Sequence, residues 1–265
     1  MKNLLFAFIC LLTITRCTKI IDIDLNSANP QYVIEGEITN EVRNHQVKIT
    51  KTLNFSENNG FPAVSFAFVT LSDDVGNIDT LREITPGLYE TKTIQGVPGR
   101  TYTMRVQHEG KTFVSVSKMP EPVPLLNVRT EESIFGSEGP AGSSQKPYFA
   151  IPLYLDPAGV KNFYRFRQII NGKPDPEFLV RNDNFSDGKP SVEPVISSLT
   201  DMYKGDTLDF QMQCIDEAVY NYFFSTSAST GSSDTTPSNP VSNIVGGALG
   251  YFSACSVRAM RVAVE

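Results

Sequence analysis

Few side chains in this sequence are suited to chemistry. Its 265 residues hold four cysteines, two histidines and no tryptophan. Cys214 and Cys255 lie in the body of the chain and could form a disulfide in an oxidising compartment. The alternative is two buried thiols, because a free cysteine packs as a small apolar group. His45 and His108 fall at expected strand or hairpin ends. With no cysteine nearby and no paired-histidine spacing, they read as solvated loop residues rather than metal ligands. Asp183 to Gly188 starts like a calcium loop. Phe185 stands where an oxygen ligand is required and Pro194 where the distal Glu should be, so a turn is expected. Asp73-Asp74, and Asp22 with Asp24, offer two carboxylates without a third ligand. No metal and no cofactor is expected.

Nucleophile elbows and phosphate-binding glycine loops are absent from the sequence. Gly246-Gly247 with Gly250 reads as a tight turn or a close backbone approach. These absences favour a protein that is not an enzyme. A hydrolase is a lower-ranked alternative, since the spacing of a carboxylate pair is set by the fold. The aromatic set Tyr220, Tyr222, Phe223, Phe224, Tyr251 and Phe252 offers candidate ligand contacts; its other use is to fill a second core. Without tryptophan, the flat platforms that sugars favour are fewer.

The elements that must carry these residues are mostly strands. Tyr32, Ile34 and Ile38 share one face of an alternating run, Val47 and Ile49 alternate with Lys48 and Thr50, and Tyr102, Met104 and Val106 with Thr103 and Arg105. Ala63 to Leu71 is apolar on both faces, as in a central strand. Asp73 to Asn77 is a turn, and His108-Glu109-Gly110-Lys111 a hairpin loop leading into Thr112 to Val116. This rhythm predicts an immunoglobulin- or transthyretin-like β-sandwich over 28–118. Prolines at 120, 122 and 124 mark a stiff linker, 119–127. A Gly/Ser-rich loop, Gly136 to Ser144, soon follows.

The expected second domain, 128–265, is also β-rich, with strands over Phe149 to Leu155, Phe163 to Ile170 and Val257 to Val264. Leu208, Phe210, Met212 and Cys214 alternate with polar residues and face inward. Asp216 is an N-cap for one short helix carrying Val219, Tyr222 and Phe223 on one face. The polar run Ser225 to Asn239 reads as a loop.

The beginning of the chain reads as an address. Lys2 precedes the apolar run Leu4 to Leu12, which is too short to span a membrane, for which about 20 residues are needed. Ile14-Thr15-Arg16-Cys17 has the form of a lipobox, with Arg16 where a small residue is usual. Residues 1–16 are then a signal peptide, Cys17 the lipidated residue and 17–27 a tether. Several acyl chains would hold stably where one does not. The alternating Ile21, Ile23 and Leu25 could instead make a strand. The net charge of −6, two units lower without Lys2 and Arg16, argues against nucleic acid as a partner.

Near the C-terminus, Asn239-Pro240-Val241-Ser242-Asn243-Ile244, Gly246-Gly247 and Leu249 to Ser253 resemble the closing signature of a Bacteroidetes lipoprotein family, domain-of-unknown-function family 4249. Ile20 to Leu25, Tyr32 to Gly36, Pro98 to Tyr102, Gly110 to Phe113 and Asp187-Gly188 also resemble that family, in the same order. The resemblance supplies no catalytic residues. It implies an outer-membrane lipoprotein, often encoded beside TonB-dependent receptors of nutrient uptake, on the periplasmic or the extracellular face. A cell-surface peptide- or glycan-binding module is the alternative.

Overall fold

The structure, a computed structural model, describes residues 30–53, 60–134, 145–231 and 239–265, the side chains of 228–231 excepted. The signal, Cys17, the tether, the alternation at Ile21–Leu25, the loop Gly136 to Ser144 and part of the polar run Ser225 to Asn239 lie outside the described residues.

The chain is mostly β. In order it forms β1 (Tyr32–Thr39), β2 (Gln46–Lys51), β3 (Phe68–Asp73), β4 (Ile78–Thr80), β5 (Arg82–Thr85), β6 (Leu88–Glu90), β7 (Thr101–His108), β8 (Lys111–Lys118) and β9 (Leu125–Glu132). It continues through β10 (Tyr148–Leu155), β11 (Phe163–Ile170), β12 (Lys173–Pro174), β13 (Leu179–Asn182), β14 (Pro190–Ser191) and β15 (Thr207–Ile215). The helix α1 (Glu217–Gly231), β16 (Ile244–Val245) and β17 (Leu249–Ala263) close it.

One large sheet runs β12-β11-β15-β17-β1-β2-β6-β5, with β13 also paired to β11. A second sheet, β16-β8-β7-β3-β4, covers one end; a third, β14-β10-β9, covers the other. The first core lies under the second sheet and contains Ile34, Ile38, Tyr102, Met104, Phe113 and Phe252. The other core joins Tyr154, Tyr164, Phe166, Phe210 and Met212. Each half is sandwich-like, and the halves share the large sheet.

That sharing corrects the division at 119–127. β17 pairs in parallel with β1 through residues 249–255, then antiparallel with β15 through 256–263. The first core therefore needs Ile244, Ala248, Phe252 and Ala254 from the end of the chain. Parallel partners need long crossovers, so no local signal in the sequence announces them. The proline segment is not a free spacer either: Met119 is buried in the first core and Val123 in the second.

Alternation read most strands correctly, and β11 and β15 lie where expected. The β7–β8 hairpin turns at Glu109 and Gly110 with φ of 48° and 73°, the positive pair a tight two-residue turn requires. Asp73 holds its turn by accepting from Val75 N, Asn77 N and Asn77 Nδ2 at 3.2, 2.8 and 2.7 Å. The expected central strand Ala63 to Leu71 shrinks to β3, with Phe66 and Phe68 exposed. Apolar residues on both faces did not mean burial on both.

Asp216 caps α1 as expected, its Oδ1 accepting Val219 N at 2.9 Å. Its Oδ2 accepts Ser117 Oγ at 2.5 Å and Lys118 N at 3.2 Å. One carboxylate thus ties the helix to the end of β8. The helix is longer than expected, 15 residues. It packs Val219 and Phe223 onto Phe163, Ile215, Cys255 and Val257, on the outer face of the shared sheet.

Candidate functional site

Beside that helix, the outer face of the shared sheet forms a cleft. On β1, Ile34, Gly36 and Ile38 point into the first core, which turns Glu35 and Glu37 outward. Gly36 is packed tightly on its inner side: a Cβ there would sit 3.1 Å from Met104 Sδ and from a Phe252 ring carbon. On β11, Tyr164 and Phe166 enter the second core, which turns Arg165 and Arg167 outward. β17 contributes Tyr251, the β1–β2 connection Arg43, β2 Gln46 and Lys48, and β6 Leu88. The cleft encloses about 300 Å³. Four basic and two acidic side chains line it.

Glu37 is the hub. Its carboxylate lies 3.5 Å from Arg43 Nη2, 3.5 Å from Arg165 Nη1 and 4.0 Å from Arg167 Nη1, and it accepts Gln213 Nε2 at 3.3 Å. Arg165 is buried and donates to Gln213 Oε1 at 3.4 Å. Its guanidinium lies 4.0 Å from the centre of the Phe223 ring, a cation–π contact inside the α1 cluster. Tyr251 packs on Phe223 and Tyr222 at 4.7 and 5.0 Å between ring centres. Burial pushes its hydroxyl up to about 12, against the opposing pull of Arg165.

The aromatic set read from the sequence therefore separates. Tyr251 lines the cleft, while Tyr222 and Phe223 support it from behind. Phe252 points the other way, into the first core. Tyr220 stacks on Phe163 and Phe224. Phe224 is 55% exposed and borders a separate groove of about 370 Å³ with Phe178, Leu179 and Ile196. The cleft residues Glu37, Arg43, Arg165 and Arg167 were missed by the sequence reading. Charges alternating with core residues on a strand look like an ordinary solvent face.

A family model described as a domain of unknown function, DUF4249, matches residues 18–261. The chain belongs to the DUF4249 family. No curated protein matches it. Every residue that lines the cleft lies within the DUF4249 match.

The two body cysteines of this DUF4249 chain are free thiols. Cys214 pairs across the ladder with Ser256, so its side chain shares the Ser256 face while Cys255, one residue along, takes the other. Cys214 accepts Val123 N at 3.4 Å in the second core, and Cys255 lies in the helix cluster. The sheet stands between them, which corrects the disulfide. Burial raises both thiols, which keeps them protonated and poor nucleophiles.

His45 is also corrected: it is buried, not solvated. Its Nδ1 accepts Thr39 N at 3.4 Å, which leaves the proton of the neutral ring on Nε2. Burial, with Arg43 nearby, lowers it to about 4. His108 is partly buried, within 2.9 Å of Tyr32 Oη, which also donates to Glu109 at 2.9 Å. The depressed histidine sets a pH dependence. Below its unfolded value near 6.5 the unfolded chain takes up a proton that the folded ring refuses until about pH 4. Stability should therefore fall as pH drops through that window, by about 3 kcal/mol in all. Denaturant midpoints at pH 7.5 and 4.5 should differ less in His45→Asn than in the wild type; an equal fall in both would refute the assignment.

Asp156, Asp183 and Asp187 form the one carboxylate group among the described residues close enough to share a cation, with ligand atoms within 4.8 Å of one another. The segment 183–188 is a turn, as read. Asp156, from the end of β10, is the member the sequence could not supply. The Tyr164 hydroxyl donates to Asp156, Asn162 N to Asp183 at 2.6 Å and Gly159 N to Asp187 at 2.7 Å. Burial raises Asp156, and the other two carboxylates add to it. These donors explain the group as loop-holding chemistry.

Proposed function

We propose that this DUF4249 protein is a lipid-anchored, non-enzymatic accessory or binding protein of the outer membrane, working with a TonB-dependent receptor in nutrient uptake. The observation that carries this reading is Cys17, placed behind a short apolar run and directly before residue 18, where the family match begins. A cleft built mostly on strands offers a ligand a largely preformed site. The acidic net charge leaves the lipid, rather than basic residues, as the attachment to anionic membranes.

Cys17→Ala should move the protein wholly from the membrane to the soluble fraction with an unchanged melting temperature. Retention of the variant in membranes would refute the anchor. Purification of the wild type from detergent-solubilised membranes should bring down a β-barrel transporter, and its repeated absence would end the receptor partnership.

The second reading, a cell-surface module capturing a peptide or glycan, is favoured by the exposed Phe224 and its groove, where Phe178, Leu179 and Ile196 sit beside Glu177 and Arg181. It requires exposure on intact cells. Protection from added protease would exclude it.

A further inference from the structure

We propose that the arginine-lined cleft between β1, β2, β11 and β17 binds a small organic carboxylate. The inference does not depend on the membrane partner. Its basis is an excess of donors over acceptors. Three guanidinium groups approach the single Glu37 carboxylate, and none comes closer than 3.5 Å. A satisfied pair in this same protein is much tighter: Arg261 grips Asp209 with two bonds of 2.5 and 2.7 Å. One carboxylate cannot complete three such forks.

Arg167 has the largest unused capacity. Its approach to Glu37 is 4.0 Å, and no hydrogen bond from its side chain is formed among the described residues. Arg165 is already fixed by Phe223, Gln213 and Glu37, so it contributes positive field without needing to be ordered. Arg43 reaches in from the opposite rim, still tied to Glu41 at 3.1 Å. An incoming oxyanion between Arg43 and Arg167 would complete the forks that Glu37 leaves open.

The surroundings narrow the ligand class. Four basic groups against two acidic ones make the cleft locally positive on a chain whose net charge is −6. Such a field focuses small anions, while the acidic remainder repels long polyanions. Tyr251 and Leu88 give the cleft an apolar wall, which favours an organic body over a bare inorganic ion. A volume of about 300 Å³ suits a compact molecule with one to three carboxylates.

Isothermal titration of the folded chain with succinate, citrate and inorganic phosphate at constant ionic strength tests this. Succinate or citrate should bind saturably at one site, weaken as salt rises, and bind at least ten-fold more weakly to Arg167→Gln. Arg43→Gln, at a more exposed position, serves if the first variant does not fold. Three results overturn the proposal: no saturable carboxylate binding by the wild type, unchanged affinity in a folded variant, or phosphate binding as tightly as the carboxylates.

Discussion

Gly250→Ala should destabilise the protein severely. Gly250 sits near the start of β17, paired in parallel with Ile34 of β1, at φ +97°. A Cβ at that position would overlap the Ile34 carbonyl oxygen and lie 2.8 Å from the carbonyl carbon. Both are backbone atoms of a buried strand, so no change of rotamer relieves the clash. The strands must separate, and they form the pair that joins the first core to the last strand. The positive φ adds about 1–2 kcal/mol on its own. Together the cost should exceed about 4 kcal/mol, a large share of the roughly 5–15 kcal/mol that holds a typical domain. Gly247→Ala is the control: its φ is +84°, yet nothing lies within 4 Å of the added carbon. It should cost only the backbone strain, about 1–2 kcal/mol. Urea unfolding of both variants checks the contrast. A Gly250→Ala protein as stable as the control would mean that β1 and β17 do not pair in this register.

Asp79→Ala should cost about 3 kcal/mol. Asp79 is buried in β4, and its Oδ2 accepts Lys92 N, Thr93 N and Ile94 N at 2.7, 2.7 and 3.1 Å. Burial alone would raise its pKa, but these three donors outweigh it and hold the carboxyl below its ordinary value. Removing the oxygen leaves three N–H groups without their partner, one of them buried. Leaving a donor unsatisfied costs about 1–3 kcal/mol when it is buried and less where water reaches it. Asp79→Asn keeps an acceptor and loses only the charge, so it should lose roughly half as much. The wild-type contribution is present above the unfolded carboxylate range and disappears as pH falls through the depressed folded value. Denaturant midpoints for the two variants at pH 7 measure the difference. Equal stability of Asp79→Ala and wild type would show that this carboxylate does not organise the segment after β6.

Local pattern in the sequence went a long way. Alternation located β1, β7 and β15 and turned Cys214 inward. Asp216 announced its helix because a cap acts within one turn. The glycine cluster 246–250 was read as a tight turn or a close backbone approach, and Gly250 packs against Ile34. The failures share one cause. The extent of β17, the domain boundary and the disulfide all depended on which strands become neighbours. Alternation reports that a strand has two faces, but not what covers either one. Phe66 and Phe68 were expected inside and are exposed.

The mostly β class, the turns, the helix start and the family resemblance were legible along the chain, because each depends on residues close together in it. Tertiary structure alone decided that the first and last strands pair, that Cys214 and Cys255 face opposite ways, and that Glu37 meets Arg165 and Gln213. The Glu37–Gln213 bond joins residues 176 positions apart. Such a meeting follows from strand order and twist across the whole sheet, and a short stretch of sequence carries no record of either.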